Sequence, residues 1–202
     1  DLVTGVQTCA LPILAIPYKV LGITVEPLFM AALSVITSLL VARRKSVLAS
    51  CFVGLLSVCL WCSSGMLAQV DGHYVLMSLS AIIAACDIGA YFVGRYFGGP
   101  KLMPIISPNK TISGAIGGLG AAVVVAVVGG GLIGIETLWQ PLLAGLLLGG
   151  MAQVGDLLES AVKRSSGAKD SGSILPGHGG LLDRFDGYLL AVPLTYLYLY
   201  GL

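Results

Sequence analysis

Asp156, Glu159, Ser160 and Lys163 stand at i, i+3, i+4 and i+7. On a helix that spacing puts them on one face, which then offers two carboxylates, a hydroxyl and an ammonium. Asp183 and Asp186 repeat the i, i+3 spacing further on, with Arg184 between them. The segment joining the two pairs, Ser165–Gly180, carries five glycines, Lys169, Asp170, Pro176 and His178. Half of the chain's ten acidic residues and one of its two histidines therefore lie within residues 156–186. Carboxylate oxygens suit Mg2+, which completes its coordination with substrate phosphate oxygens. Lys163, Arg164, Lys169 and Arg184 beside a glycine-rich backbone suit phosphates. These residue types point to metal-assisted chemistry on a phosphorylated substrate.

Each feature also has a plain structural use. Glu159 and Lys163 make an i, i+4 pair on a solvated helix end. Asp183 or Asp186 can cap a helix N-terminus, where carboxylates meet free N–H groups. One aspartate would serve there; two, with Asp156 on the preceding span, fit a shared divalent-metal site better. The Ser165–Gly180 loop reads as a linker as readily as a phosphate cradle. His178 is a base, a ligand or a loop hydrogen-bonder. A second polar loop, Arg95–Lys110, ends in Ser107-Pro108-Asn109-Lys110-Thr111 ahead of an apolar run. Asn109 and Lys110 there suit an anion at a helix N-terminus, and Thr111 or Asn109 suits a plain cap. Asp87 interrupts an apolar run, where an ionisable group is costly unless paired or metal-linked.

The elements that must hold these residues are membrane spans. Hydrophobic residues make up 56% and charged residues 10% of the 202 residues, against about 25% charge in soluble domains. Mean hydropathy is +0.95. Such a chain has too little polar surface to cover a water-soluble globule. The expected fold class is all-α, a polytopic integral membrane helical protein. Its expected spans are Pro27–Ala42, Ser46–Val70, Tyr74–Gly94, Thr111–Ile135, Pro141–Val154 and Phe185–Leu202, about six in this fragment. Each is near the ~20 residues that cross ~30 Å of hydrocarbon. Residues 1–26 read as a truncated or artefactual N-terminal segment, and 27–202 as one membrane-embedded domain. Alternating the six spans places ten of the eleven Lys and Arg on one side, and the positive-inside rule makes that side, with its polar loops, cytoplasmic. The multi-pass protein is expected in the cell (inner) membrane with its site facing the cytoplasm. Gly114-x-x-x-Gly118, Gly130-x-x-x-Gly134 and Gly145-x-x-x-Gly149 read as close helix contacts. Cys59-x-x-Cys62, inside an apolar run, reads as packing.

Ser160-x-x-Lys163-Arg164-x4-Lys169-Asp170-x-Gly172-x2-Leu175-Pro176-x-His178-Gly179-Gly180-x2-Asp183-Arg184-x-Asp186 resembles the signature of the bacterial phosphatidate cytidylyltransferases (CDP-diacylglycerol synthases). Ser107-Pro108-Asn109-Lys110-Thr111 and Asp87-x-x-Ala90-Tyr91-x-x-Gly94 are similar to that family too, so the resemblance runs from about Asp87 to the C-terminus. This chain departs from the family in having Ile112-Ser113-Gly114 where members often have Trp-Glu-Gly. The resemblance implies CTP and phosphatidate as substrates, CDP-diacylglycerol and pyrophosphate as products, and a homodimer in the lipid bilayer. It implies a two-cation centre, Mg2+ with K+ as partner, on Asp156, Asp183 and Asp186 with Ser160 nearby. The expected catalytic set is Asp156, Asp183, Asp186 and Lys163. The expected substrate-binding set is Asp87, Asn109, Lys110, Ser160, Arg164, Lys169, His178 and Arg184. No nucleic-acid partner is expected. Two other readings stand beside this one: a membrane phosphotransferase consuming a CDP-lipid, which needs a tighter Asp-rich motif, and a divalent-cation transporter using Asp87 and Asp156, which needs polar residues spread through several spans.

Overall fold

The computed structural model describes residues 47–132, 135–165 and 185–200. In chain order these form α1 (Val47–Leu67), α2 (Gly72–Phe97), β1 (Lys101–Met103), β2 (Ser107–Thr111), α3 (Ile112–Leu132), α4 (Trp139–Ser165) and α5 (Tyr188–Tyr200). Three of them, α2, α3 and α4, are long and apolar enough to cross a membrane; shorter apolar stretches are Gly54–Leu67 and Tyr188–Tyr200. At 26 residues α2 is about 39 Å long. The expected span Pro27–Ala42 and the boundary after residue 26 lie outside the described residues.

The helices pack through small side chains. On α3 the buried positions are Gly114, Gly118, Ala122, Ala126 and Gly130, every fourth residue. The buried positions of α4 are Pro141, Gly145, Gly149, Ala152, Gly155 and Glu159. At the glycines of these faces, which lack Cβ atoms, the backbones meet: a Cβ at Gly145 would stand 2.6 Å from the Val123 Cα, and one at Gly118 would stand 2.7 Å from the Cys86 carbonyl. The close contacts expected at Gly114, Gly118, Gly145 and Gly149 are therefore present. α3 runs along α2 on one side and α4 on the other, while α1 packs on α5. Cys59, Cys62, Met66, Leu79, Ile83, Ala152, Ala191 and Val192 form a buried cluster joining α1, α2, α4 and α5. The Cys59-x-x-Cys62 pair sits inside that cluster, as its apolar setting suggested.

The polar segment Arg95–Lys110 is not simply a loop: in the mostly helical structure it holds a short two-stranded ribbon among the described residues. β1 and β2 form an antiparallel ribbon, Lys101 facing Thr111 and Met103 facing Ser107, with an irregularity between. Ser-Pro-Asn-Lys-Thr has little intrinsic strand preference. The hairpin forms because both its ends are tied: the Ile112 N–H donates to the Pro100 carbonyl at 3.0 Å, and the Ser113 hydroxyl donates to the Gly98 carbonyl. The ribbon thus folds back over the end of α2.

Candidate active site

Four elements deliver side chains to one end of the helix bundle. α2 brings Asp87 and, further along, Tyr91 and Arg95. The hairpin brings Lys101, Asn109 and Lys110. α4 runs on past the expected end of its span and brings Gln153, Asp156, Glu159, Ser160 and Lys163. The turn ahead of α5 brings Asp186. Thr111 fixes the start of α3: its Oγ1 accepts the Gly114 N–H at 3.1 Å, an N-cap interaction that satisfies one orphan donor of the first turn.

Asp87, Asn109, Lys110, Gln153 and Asp156 line one cleft of about 610 Å³ together with Arg95 and Lys101. Across it, the Lys110 ammonium pairs with the Asp156 carboxylate. Asp156 also accepts the Ser160 hydroxyl at 3.5 Å. One turn further, Lys163 pairs with Glu159 at 2.9 Å, and the Glu159 side chain is only 1% exposed. The small-residue stripe of α4 therefore ends in a buried carboxylate. The i, i+4 pair expected of Glu159 is present, but the helix end is not solvated there: the Glu159 carboxylate faces the protein interior.

Asp156, Glu159 and Asp186 each offer a carboxylate oxygen, and these oxygens lie within 4.8 Å of one another. Gly155 makes this possible, since a Cβ there would stand 2.5 Å from the Asp186 carbonyl oxygen. Asp186 accepts the Gly187 N–H at 2.6 Å. Carboxylates gathered so closely repel one another, and a cation among them offsets the repulsion. Three convergent carboxylates are the donor set of a hard, oxygen-binding cation, so the cluster could bind a metal ion.

Of the residues expected to act, Asp87, Asn109, Lys110 and Asp156 meet in the cleft, and Asp186 and Ser160 meet at Asp156. Lys163 and Arg164 do not line it among the described residues. Lys163 is engaged by Glu159, and Arg164 Nε donates to the Ile106 carbonyl at 3.4 Å, tying α4 to the hairpin. Asp183, Lys169, His178 and Arg184 lie outside the described residues. Sequence reasoning passed over Gln153, whose amide nitrogen donates to the Ala115 carbonyl at 2.9 Å and contacts Cys86 Sγ at 3.4 Å. Its only sequence signal was an amide in an apolar run one turn before Asp156. Arg95 and Lys101, which also line the cleft, carry no sequence signal beyond their charge.

Fold and site together define a helical, membrane-type protein with a cation-ready acidic cluster beside a cleft lined by basic side chains. The sequence profile of the cytidylyltransferase family matches residues 2–202, and the chain belongs to that family. It is 51% identical over 127 residues to a phosphatidate cytidylyltransferase of Brucella suis biovar 1 (strain 1330), covering 63% of this chain and 47% of that protein. It is 48% identical over 126 residues to a phosphatidate cytidylyltransferase of Staphylococcus haemolyticus (strain JCSC1435), covering 61% of this chain and 48% of that protein. The chain thus spans about half the length of the curated relatives it matches.

Proposed function

We propose that the protein transfers a cytidylyl group from CTP to phosphatidate, giving CDP-diacylglycerol and pyrophosphate for phospholipid biosynthesis. The observation that carries this reading is the Lys110–Asp156 pair spanning the cleft, with Asp87 on the same wall and Asp186 and Glu159 behind. A phosphate-type cation and a carboxylate cluster are there held against each other at one end of an apolar bundle. The names of the relatives support the same reaction.

In this reading a phosphatidate oxygen attacks the α-phosphorus of CTP and pyrophosphate leaves. Attack by a phosphate oxygen needs no strong base, so the work of the protein is positioning and neutralisation of charge. Asp156, Glu159 and Asp186 would hold Mg2+, with Asp183 a further ligand. Bound there, Mg2+ would draw charge from the phosphate oxygens. Lys110 turns from Asp156 to the triphosphate. Asp87 and Asn109 orient the nucleotide from the cleft wall, and Ser160 holds the Asp156 carboxylate. Lys163, Arg164, Lys169 and Arg184 are the further candidate ligands of the substrate phosphates, and His178 is a further substrate-binding residue. K+ is the second cation. Residues 27–202 act as one domain in the inner membrane, six spans with the site cytoplasmic, and two chains form a homodimer.

The test uses CTP labelled on the α-phosphorus and mixed micelles of detergent and phosphatidate. Label that becomes lipid-extractable only with phosphatidate present supports the reading. Label that stays water-soluble under every condition rejects it, and release of CMP from CDP-diacylglycerol would favour the phosphotransferase.

A further inference from the structure

Two of the cations on the cleft, Arg95 and Lys101, have no carboxylate partner among the described residues, where the ion pairs are Lys110–Asp156 and Lys163–Glu159. Arg95 lies in the last turn of α2. An arginine at the end of a membrane helix ordinarily extends outward, carrying its charge into water. Arg95 is exposed, but it turns back along its own helix. Its Nη1 donates to the Tyr91 hydroxyl one turn earlier at 2.6 Å, and its guanidinium carbon stands 5.9 Å from the centre of the Tyr91 ring. The charge is held back along the helix, beside the cleft that Tyr91 also lines.

Lys101 reaches the same cleft by a different route. Gly98 and Gly99 take φ of +60° and +104°, conformations that favour glycine, and the chain reverses past the end of α2. The ribbon then sets Lys101 opposite Thr111. Phe92, Tyr96 and Phe97 are exposed on the last turns of α2. Exposed aromatic residues at the end of a membrane helix mark the depth where lipid headgroups lie.

We infer that Arg95, positioned by Tyr91, together with Lys101 forms a separate subsite for the phosphate monoester of the acceptor lipid, leaving Lys110 and the acidic cluster to the nucleotide. The planar guanidinium fork suits a phosphate with two or more free oxygens. With one Nη1 hydrogen engaged by Tyr91, the other N–H groups of the fork are left to donate to a phosphate. Lys101 supplies a second charge, matching a dianionic headgroup better than a singly charged diester. The inference rests on the cytidylyl-transfer reading for the identity of the lipid, and the experiment separates the two.

Binding of fluorescent phosphatidate to the purified protein is measured in phosphatidylcholine nanodiscs without CTP, against phosphatidylglycerol of the same acyl chains. The KM for each substrate is measured in mixed micelles. The protein should prefer phosphatidate by about tenfold or more, the worth of one charge-assisted contact. Arg95→Ala and Lys101→Ala should each lose most of that preference. They should raise the KM for phosphatidate about tenfold while the KM for CTP stays within about twofold. Arg95→Lys should keep part of the preference, and Tyr91→Phe should follow Arg95→Ala in direction with a smaller change, neither of which a general loss of fold would produce. Absence of any preference for phosphatidate overturns the subsite. So does a rise in the KM for CTP with phosphatidate binding intact, which would assign both cations to the nucleotide. Selective phosphatidate binding without cytidylyl transfer upholds the subsite and removes the proposed reaction instead.

Discussion

The Lys110 ammonium on β2 and the Asp156 carboxylate on α4 pair across 46 positions of sequence. The two side chains are 29% and 27% exposed, so the pair is neither a solvated surface contact nor a fully buried one. Lys110→Met leaves Asp156 facing Asp87 and Asp186 without its counter-charge. The expected loss is about 1–2 kcal/mol, between the values for exposed and buried pairs. Thermal unfolding in detergent checks it, and Mg2+ should restore more stability to the variant than to the wild type, because a bound ion replaces the missing charge. Equal Mg2+ effects on both would remove Lys110 from the cation site.

Gly155 lets the turn carrying Asp186 rest against α4. Gly155→Ala puts a Cβ 2.5 Å from the Asp186 carbonyl oxygen, whereas Gly120 has nothing within 4 Å of such an atom. Alanine in a helix otherwise adds about 1 kcal/mol over glycine. Gly120→Ala should therefore leave turnover intact, and Gly155→Ala should lose turnover with helix content unchanged by circular dichroism. Equal turnover in the two would show that Asp186 does not depend on this approach.

Gln153 ties α4 to α3 and α2 through Ala115 and Cys86. Gln153→Leu should destabilise by about 1–2 kcal/mol. Gln153→Glu should cost more, because a carboxylate set against the Ala115 carbonyl brings two acceptors together. Chemical denaturation of both variants gives the order, and a Glu variant as stable as wild type would contradict the assigned bond.

Much of this site was legible because carboxylates in an apolar chain stand out: Asp87, Asp156 and Asp186 were all found by that signal. Thr111 was readable as a cap from its place before an apolar run. The hairpin was not, since Pro108, Asn109 and Lys110 carry no strand preference and the ribbon is held by bonds from its ends to Pro100 and Gly98. Glu159 was ambiguous because spacing alone cannot say which face of α4 is buried, and the answer came from Gly145, Gly149 and Gly155 lying on its stripe. The direction in which Arg95 leans depends on Tyr91, a tertiary detail that charge counting could not supply.

The six-span topology has its own check. In a chain with its native cysteines replaced, Asp71→Cys and Asn109→Cys stand at opposite ends of α2. A membrane-impermeant thiol reagent added to intact cells should label position 71 and spare position 109. Labelling of both from outside would reject the arrangement.

The most direct measurement is phosphatidate-dependent release of pyrophosphate from CTP, followed together with CDP-diacylglycerol formation in wild type and Asp156→Asn. Asparagine keeps the size of the side chain and removes the charge that Lys110 and the acidic cluster share. Wild type should give the two products in equal amounts, and Asp156→Asn should fall about 100-fold or more, the scale expected for an electrostatic group at the reacting phosphate. Equal, undiminished product formation by the variant, or pyrophosphate release without lipid product in the wild type, would contradict cytidylyl transfer at this site.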